Sequence, residues 1–593
     1  MPSVTALVLR GDRWGPGSMG AKEAWEPDRK FTCGFERVAD RSLGTIASIL
    51  ALFLGVIGGL LLGVPAAVAQ VDPSLEPLPL PEPLPPEQPL DPPDRPTDPA
   101  VTDTTTPIPV TQIRVVGSTV FSTSDLAAWV APYENRTTTL AELQTLADEI
   151  TQQYLNAGYI TTQVRIPAQT LADGVVTLEV LEGRLAEITV TGGDRYSAYV
   201  TSRLNQASTA PLSQPQLEDQ LQLLELEGLF DTVEAELRRG EAPGESILDV
   251  QLQVAAPFSG RVFFDNQSPR SVGNWRVGST LAYRSIAIPG DALSAAASIT
   301  TTGGAEAYSL SYQVPVSPNN STLRLGFTHE DFNITDQANP AFVLGVRGDT
   351  QIYEVAYRHP LIRTPREELA LSLGFRHRDG QSVILNTLSV PSRTSVVQFG
   401  QDYLRRDRQG AWAARSQFNW GTELFDATLN PAPQADGVFF NWLGQVQRVQ
   451  VLSPDNLLIV RADLQLSGDA LLGSEQFVIG GAQTVRGYSQ NVRAGDSGFR
   501  LSVENRWVLD RNPDGSPLVQ LVPFTDLGAV WFRNVDTQPT QQNFLWGAGL
   551  GVIVNPLPDL TTRLEVGIPL VELQEVTDLE TGVQLHFSLE YGF

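Results

Sequence analysis

After its first 70 residues this 593-residue sequence has no cysteine, methionine or lysine. Cys33, Met1, Met19, Lys22 and Lys30 all precede Gln70. The remainder can form no disulfide and offers no thiolate, a composition that suits a protein of the cell envelope. Positive charge is also scarce: 41 Lys and Arg against 67 Asp and Glu leave a net charge of −26. Nucleic acid is excluded as a partner, because phosphate binding needs a basic face. Beyond residue 70 no apolar run reaches the roughly 20 residues of a spanning helix. The H-E-x-x-H, G-x-x-x-x-G-K-[ST] and G-x-S-x-G patterns are missing, and His329, His359, His377 and His586 are scattered rather than clustered. Neither an enzyme nor a bound metal or other cofactor is expected.

What is present divides the chain into several units. Residues 1–69 form a signal peptide region. Arg37 and Arg41 precede an apolar run from Leu43 to Val64, and Ala67-Val68-Ala69 supplies a small-residue cleavage site before Gln70. The run is long enough for an anchor helix, but Gly55, Gly58, Gly59 and Gly63 favour cleavage, and translation could start at Met1 or Met19. Residues 70–107 are a linker of Leu-Pro, Glu-Pro and Asp-Pro repeats. Proline favours extended polyproline II, so a semi-rigid acidic tether is expected.

A small pattern then occurs twice, over 108–183 and 184–255. Ile113-Arg114-Val115-Val116-Gly117 is matched by Ile188-Thr189-Val190-Thr191-Gly192. Capping boxes are expected at Thr139-Leu140-Ala141-Glu142 and Ser213-Gln214-Pro215-Gln216, opening helices with Leu140, Leu143, Ala147, Ile150 and Tyr154, or Leu217, Leu221 and Leu224, on one face. Each helix should stop at a glycine, Gly158 or Gly228, in a left-handed C-terminal cap. Two strands follow each. Leu248, Val250, Leu252 and Val254 alternate with polar residues, as in a sheet covered on one face. This β-α-α-β-β order resembles the POTRA domain. The resemblance implies a periplasmic module that binds unfolded chains by adding them as a strand to an open sheet edge.

From 256 to 593 the helical period gives way to a two-residue one. Leu458, Val460, Ala462, Leu464 and Leu466 alternate with Arg461, Asp463 and Gln465, and Phe587, Leu589, Tyr591 and Phe593 with His586, Ser588, Glu590 and Gly592. Lipid outside and water inside require this alternation, and lipid forbids an open sheet edge. Sixteen strands are expected, starting near residues 260, 275, 291, 306, 321, 350, 367, 394, 411, 436, 455, 497, 517, 542, 560 and 583. Short turns such as Pro289-Gly290-Asp291 follow even strands. Longer loops, notably Phe332–Asp349, Gly380–Ser392 and Gly468–Asp496, follow odd ones. The fold class expected is two α+β POTRA-like domains followed by a 16-stranded antiparallel transmembrane β-barrel. Tyr591 and Phe593 resemble a C-terminal assembly signal read by the barrel-assembly machinery.

The loop 468–496 carries Val485-Arg486-Gly487-Tyr488, and the thirteenth strand carries Phe524-Thr525-Asp526-Leu527-Gly528. Together, behind two POTRA-like modules, they resemble the BamA-type superfamily, and within it the two-partner secretion transporters of the ShlB/FhaC/HecB type. The resemblance spans about Ile108–Phe593. It implies that the loop folds into the lumen and that Arg486 pairs with Asp526. Val485, Gly487 and Tyr488 would seat the loop, and Phe524 and Gly528 would belong to the receiving wall. It implies an outer-membrane pore, monomeric and surrounded by lipid, that passes an unfolded secreted exoprotein captured on the edge strands of its periplasmic modules. A barrel-assembly or insertion factor is the alternative. Family members often begin with a helix that plugs the pore. Residues 70–107 are too proline-rich for one, so closure should fall on the loop.

Overall fold

The computed structural model describes Leu78, residues 89–93 and residues 106–593 apart from 172, 386–387, 432–433, 534–541 and 574–581. The signal peptide region and most of the linker lie outside the described residues, as does any test of a plug there.

The first module runs from β1 (Pro107–Val110) and β2 (Gln112–Val116) through α1 (Thr123–Val130), β3 (Arg136–Thr139) and α2 (Leu140–Asn156) to β4 (Gln163–Arg165) and β5 (Val175–Leu181). Its three-stranded sheet has the order β2-β5-β4, with β2 parallel to β5. The Thr139 hydroxyl accepts the Glu142 N–H, and Glu142 returns to the Thr139 N–H, so the expected capping box forms. Leu143, Leu146, Ile150 and Tyr154 then face Val176 and Leu178 in a buried core. Leu140, expected on that face, is only half-buried.

The second module repeats the plan with β6 (Arg184–Thr191), α3 (Ser197–Leu204), α4 (Gln214–Leu226), β7 (Phe230–Arg239) and β8 (Glu245–Val254), in the order β6-β8-β7. Its expected capping box does not form: Ser213 makes no side-chain cap. Pro215 in the first turn has removed one of the N–H donors a cap would satisfy. The Gln214 N–H instead goes to the carbonyl of Gly158 in the first module, at 2.9 Å. Gly158 and Gly228 have φ of 86° and 64°, the left-handed caps expected. The described piece of the linker is seated rather than free. Leu90 lies in the second module's core, its N–H 2.9 Å from Glu218 Oε1 and its carbonyl 3.1 Å from Gln214 Nε2.

Sixteen antiparallel strands close the barrel. They are β9 (Phe258–Asp265), β10 (Arg276–Arg284), β11 (Ala292–Thr300), β12 (Ala305–Pro315), β13 (Thr322–Asn333), β14 (Arg347–Arg363), β15 (Glu367–Ile384) and β16 (Leu388–Asp407). They continue as β17 (Gly410–Thr422), β18 (Phe440–Ser453), β19 (Asn456–Ser467), β22 (Ser497–Arg511), β23 (Pro517–Trp531), β24 (Phe544–Leu557), β25 (Leu560–Pro569) and β26 (Gln584–Gly592). Between β19 and β22 the long connection carries its own hairpin, β20 (Phe477–Ile479) with β21 (Arg493–Gly495). The expected loop Gly380–Ser392 is not a loop. β15 and β16 stay paired from Glu367/Arg405 to Ile384/Leu388. Polar residues there follow the two-residue period outside the lipid, where water satisfies both faces and the apolar signal fades.

Module two is docked on the barrel's near end. Glu227, just past α4, accepts from Tyr199 Oη (2.8 Å) and Arg203 Nε (3.0 Å) of its own module and from Arg363 Nη2 of β14 (2.8 Å). Arg195 reaches the Ile286 carbonyl in the turn between β10 and β11 at 3.0 Å. These contacts place the turns beside the modules on the periplasmic side and the mouth of the 468–496 loop on the far side.

Candidate functional site: the loop inside the lumen

The 468–496 loop folds into the barrel rather than over it. The seat begins with missing side chains. Gly547 on β24 and Gly567 on β25 face the loop's tip. A Cβ on Gly547 would meet the Arg486 carbonyl oxygen at 1.8 Å. Gly487 itself has φ of 102° and lies against the β25 backbone, where a Cβ would meet the Ile568 carbonyl carbon at 2.8 Å. Glycine is required on both sides of this approach. Tyr488 is fully buried. Its hydroxyl lies 2.7 Å from the Val571 carbonyl and 3.0 Å from that of Trp546, and it accepts the backbone N–H of both residues. Val485 packs with Phe477, Ile479, Val530 and Leu545, and sits over Gly528, where a Cβ would meet its Cγ2 at 3.3 Å.

Arg486 is then delivered into a cluster of wall residues. Its Nε and Nη2 form a fork on Asp526 of β23, at 2.7 and 2.9 Å, and its backbone N–H reaches the same carboxylate at 3.1 Å. Nη1 reaches Glu504 of β22 at 2.9 Å and Glu565 of β25 at 2.6 Å. The guanidinium carbon lies 3.6 Å from the centroid of the Phe524 ring. The Arg486 side chain is 5% exposed and that of Asp526 0%. Burial alone would weaken the hold of Arg486 on its proton. The hydrogen bonds to Asp526 and the charges of Asp526, Glu565 and Glu504 outweigh it and raise the guanidinium's proton affinity above its usual value.

Three carboxylates around one cation would leave an excess of negative charge. Two further arginines correct it. Arg563 of β25 bonds Glu504 at 2.6 Å and Glu565 at 2.8 Å, and Arg506 of β22 bonds Glu504 at 2.8 Å. The cluster thus has three formal positive and three formal negative charges. It borders a polar cavity of about 220 Å³ in the lumen, lined also by Arg461, Asp463 and Arg500. Motif reasoning names Val485, Arg486, Gly487, Tyr488, Phe524, Asp526 and Gly528, and all seven meet here. It misses Glu504, Glu565, Arg506 and Arg563. Their inward parity on β22 and β25 was readable, but their common height was not. Tyr591 and Phe593 lie elsewhere, on the outer face of the closing seam.

The description "haemolysin secretion/activation protein ShlB/FhaC/HecB" matches residues 244–554, and a ShlB-type POTRA domain matches 108–183. The chain belongs to the ShlB/FhaC/HecB family. As a member it is an outer-membrane secretion protein with its two N-terminal modules in the periplasm. Among relatives of this ShlB/FhaC/HecB chain, the outer membrane transporter CdiB of Escherichia coli is 25% identical over 78% of this chain and 79% of its own length. The hemolysin transporter protein ShlB of Serratia marcescens is 26% identical over 68% and 73%. The solved structure of CdiB from Escherichia coli has the same fold, with a TM-score of 0.66 at 21% identity, covering 84% of this chain and 92% of that one. BamA from Haemophilus ducreyi, solved without POTRA domains 1–3, shares the fold more distantly, with a TM-score of 0.51 at 15% identity over 82% of this chain and 100% of that one.

Proposed function

We propose that the loop 468–496 is the closure of this secretion pore and that Arg486 is its latch. An unfolded exoprotein in the periplasm adds as a strand to an open edge of the modules, the latch lets go, and the chain passes through the lumen to fold outside. The reading is carried by one observation: a loop inside a closed barrel is held at its tip by a buried but charge-balanced cluster beside a polar cavity. Such a cluster holds firmly, because an isolated buried charge is costly. It can also exchange its partners for water when the cavity floods.

Capture at the modules has physical support in the two edge strands, β6 and β7, of the second sheet. The groove between α4 and β7 accepts Leu90 of the chain's own linker, with hydrogen bonds to both its backbone groups. An extended apolar segment of an exoprotein presents the same chemistry. The outward belt of aromatic and aliphatic side chains fits lipid, and Tyr591 with Phe593 offers the assembly machinery an apolar final strand. The pore works as a monomer, and no chemical catalysis enters the cycle.

The test is secretion of the cognate exoprotein by cells carrying Arg486→Ala or Asp526→Ala, with barrel level in the outer membrane measured beside it. Secretion should fall at least tenfold at unchanged barrel level. Unchanged secretion in both variants would remove the latch from the mechanism. A fall in other outer-membrane proteins, with secretion intact, would instead favour an insertion factor.

A further inference from the structure

The loop has a second, separate attachment. Its first leg forms a one-turn helix, Gly473–Glu475, and the Glu475 side chain is 3% exposed. Glu475 Oε2 lies 2.6 Å from Arg376 Nη2 on β15, and Oε1 accepts the Thr394 hydroxyl of β16 at 2.8 Å. Next to it the Ser474 and Ser392 hydroxyl oxygens are 3.3 Å apart. Gln465 of β19 donates to the carbonyls of both Glu475 (3.0 Å) and Asp496 (3.1 Å), so it ties the two legs together. Asp496 in turn accepts the Leu471 N–H at 2.9 Å and the Arg533 N–H at 2.8 Å. Leu471 packs with Val396 and Phe439 over the stem.

This attachment differs from the tip in three respects. Its sign is reversed: the loop supplies the anion and the wall the cation. Its wall is different: β15 and β16 are the seventh and eighth barrel strands, whereas the tip binds the twelfth, thirteenth and fifteenth. Two of the three wall side chains that donate to Glu475, Thr394 and Gln465, are neutral, so water has less to gain by replacing them. The loop is therefore a strap drawn between two sides of the lumen.

Resting on the reading of this loop as the pore's closure, we infer that Glu475 is a positioning residue, the stem anchor that sets the strap across the lumen and stays seated while the tip moves. Without it the tip has no fixed pivot from which to find its seat. The charge on Glu475, rather than its bulk, does this work, because the contacts are an ion pair and a hydroxyl donor.

The experiment uses the purified full-length chain in planar lipid bilayers, without exoprotein, together with secretion in cells. Glu475→Gln and Arg376→Gln should each raise resting conductance at least threefold, and the exchange Glu475→Arg with Arg376→Glu should recover half or more of the closure. Cysteines at Ser392 and Ser474, in a chain carrying Cys33→Ser, supply a covalent substitute. Oxidised in the Glu475→Gln background, they should restore low conductance, and reduction should open the pore again. In the otherwise wild-type chain, the oxidised pair should leave secretion unchanged, because the stem does not travel. Wild-type conductance in both single variants, with Arg486→Ala opening the pore, would overturn the stem anchor alone. Wild-type conductance in Arg486→Ala as well would overturn the closure reading itself. If a single variant fails to reach the membrane, the bridge in the wild-type chain decides: secretion lost on oxidation and regained on reduction would show a stem that must leave, against the inference.

Discussion

At the scale of the residue, the cluster around Arg486 is not a simple pair. Exchanging Arg486 and Asp526 would restore a pair on paper. It would also set an Asp at position 486 against Glu504 and Glu565, which lie 2.9 and 2.6 Å from the present guanidinium. Like charges at that distance disfavour the seat. The exchange Arg486→Asp with Asp526→Arg should therefore secrete no better than either single alanine variant. Arg486→Lys keeps the charge but loses the fork, and it should retain between a tenth and a half of wild-type export. Both outcomes are read by exoprotein yield at matched barrel level. Arg486 and Asp526 were legible because two short motifs name them. Glu504 and Glu565 were not, since each alone reads as an ordinary lumenal carboxylate. Only register brings them to neighbouring levels: Glu504 lies opposite Phe524, Phe524 opposite Gly549, and Gly549 opposite Gly567, two residues from Glu565.

At the scale of the element, alternation and turn chemistry carried most of the fold. Strand starts fall close to their expected places because lipid on one face and water on the other enforce a two-residue period. The failures occur where that constraint ends. β15 and β16 continue past the lipid, where no apolar face marks them, and Ser213 heads a helix whose Pro215 has already dispensed with a donor. Apart from the Arg486–Asp526 pair, which the two motifs name, tertiary contacts between elements were beyond reach. Glu227 is the clearest case: a polar residue at a helix end that holds module two to the barrel through Arg203 and Arg363. Its side chain is 6% exposed. Removing one partner of such a group typically costs about 3–5 kcal/mol, because the others are left buried and unpaired. Glu227→Ala should therefore loosen the module without unfolding the barrel. Limited proteolysis should cut the connection at Ala255-Ala256-Pro257 at least fivefold faster, while the barrel still resists SDS at room temperature. Unchanged cleavage would mean that the remaining contacts, such as Arg195 on Ile286, hold the joint alone.

At the scale of the whole molecule, the question is whether the closed ring ever opens sideways. The seam joins the last strand to the first. Ser588–Gly592 of β26 pairs with Asp265–Arg261 of β9, and the ladder is extended by Phe593, whose N–H and carbonyl exchange hydrogen bonds with Gly260 at 2.9 and 2.8 Å. Arg261 and Glu590 add an ion pair at 3.2 Å inside. The ladder of β15 with β16 runs much further. The seam is therefore short yet complete, and neither geometry nor charge leaves a gap in it. A transporter that moves its cargo through the lumen needs no more opening than the strap's release. An insertion factor must part the seam to hand a strand to the membrane. Phe264 and Leu589 face each other across it, and paired antiparallel positions are close enough for a disulfide. With Cys33→Ser, cysteines at 264 and 589 give a barrel that can be locked shut by oxidation and freed by reduction. Secretion of the exoprotein should proceed at the wild-type rate in the oxidised state. If oxidation stops secretion and reduction restores it, the cargo leaves through the wall, and the latch at Arg486 guards a different path from the one proposed.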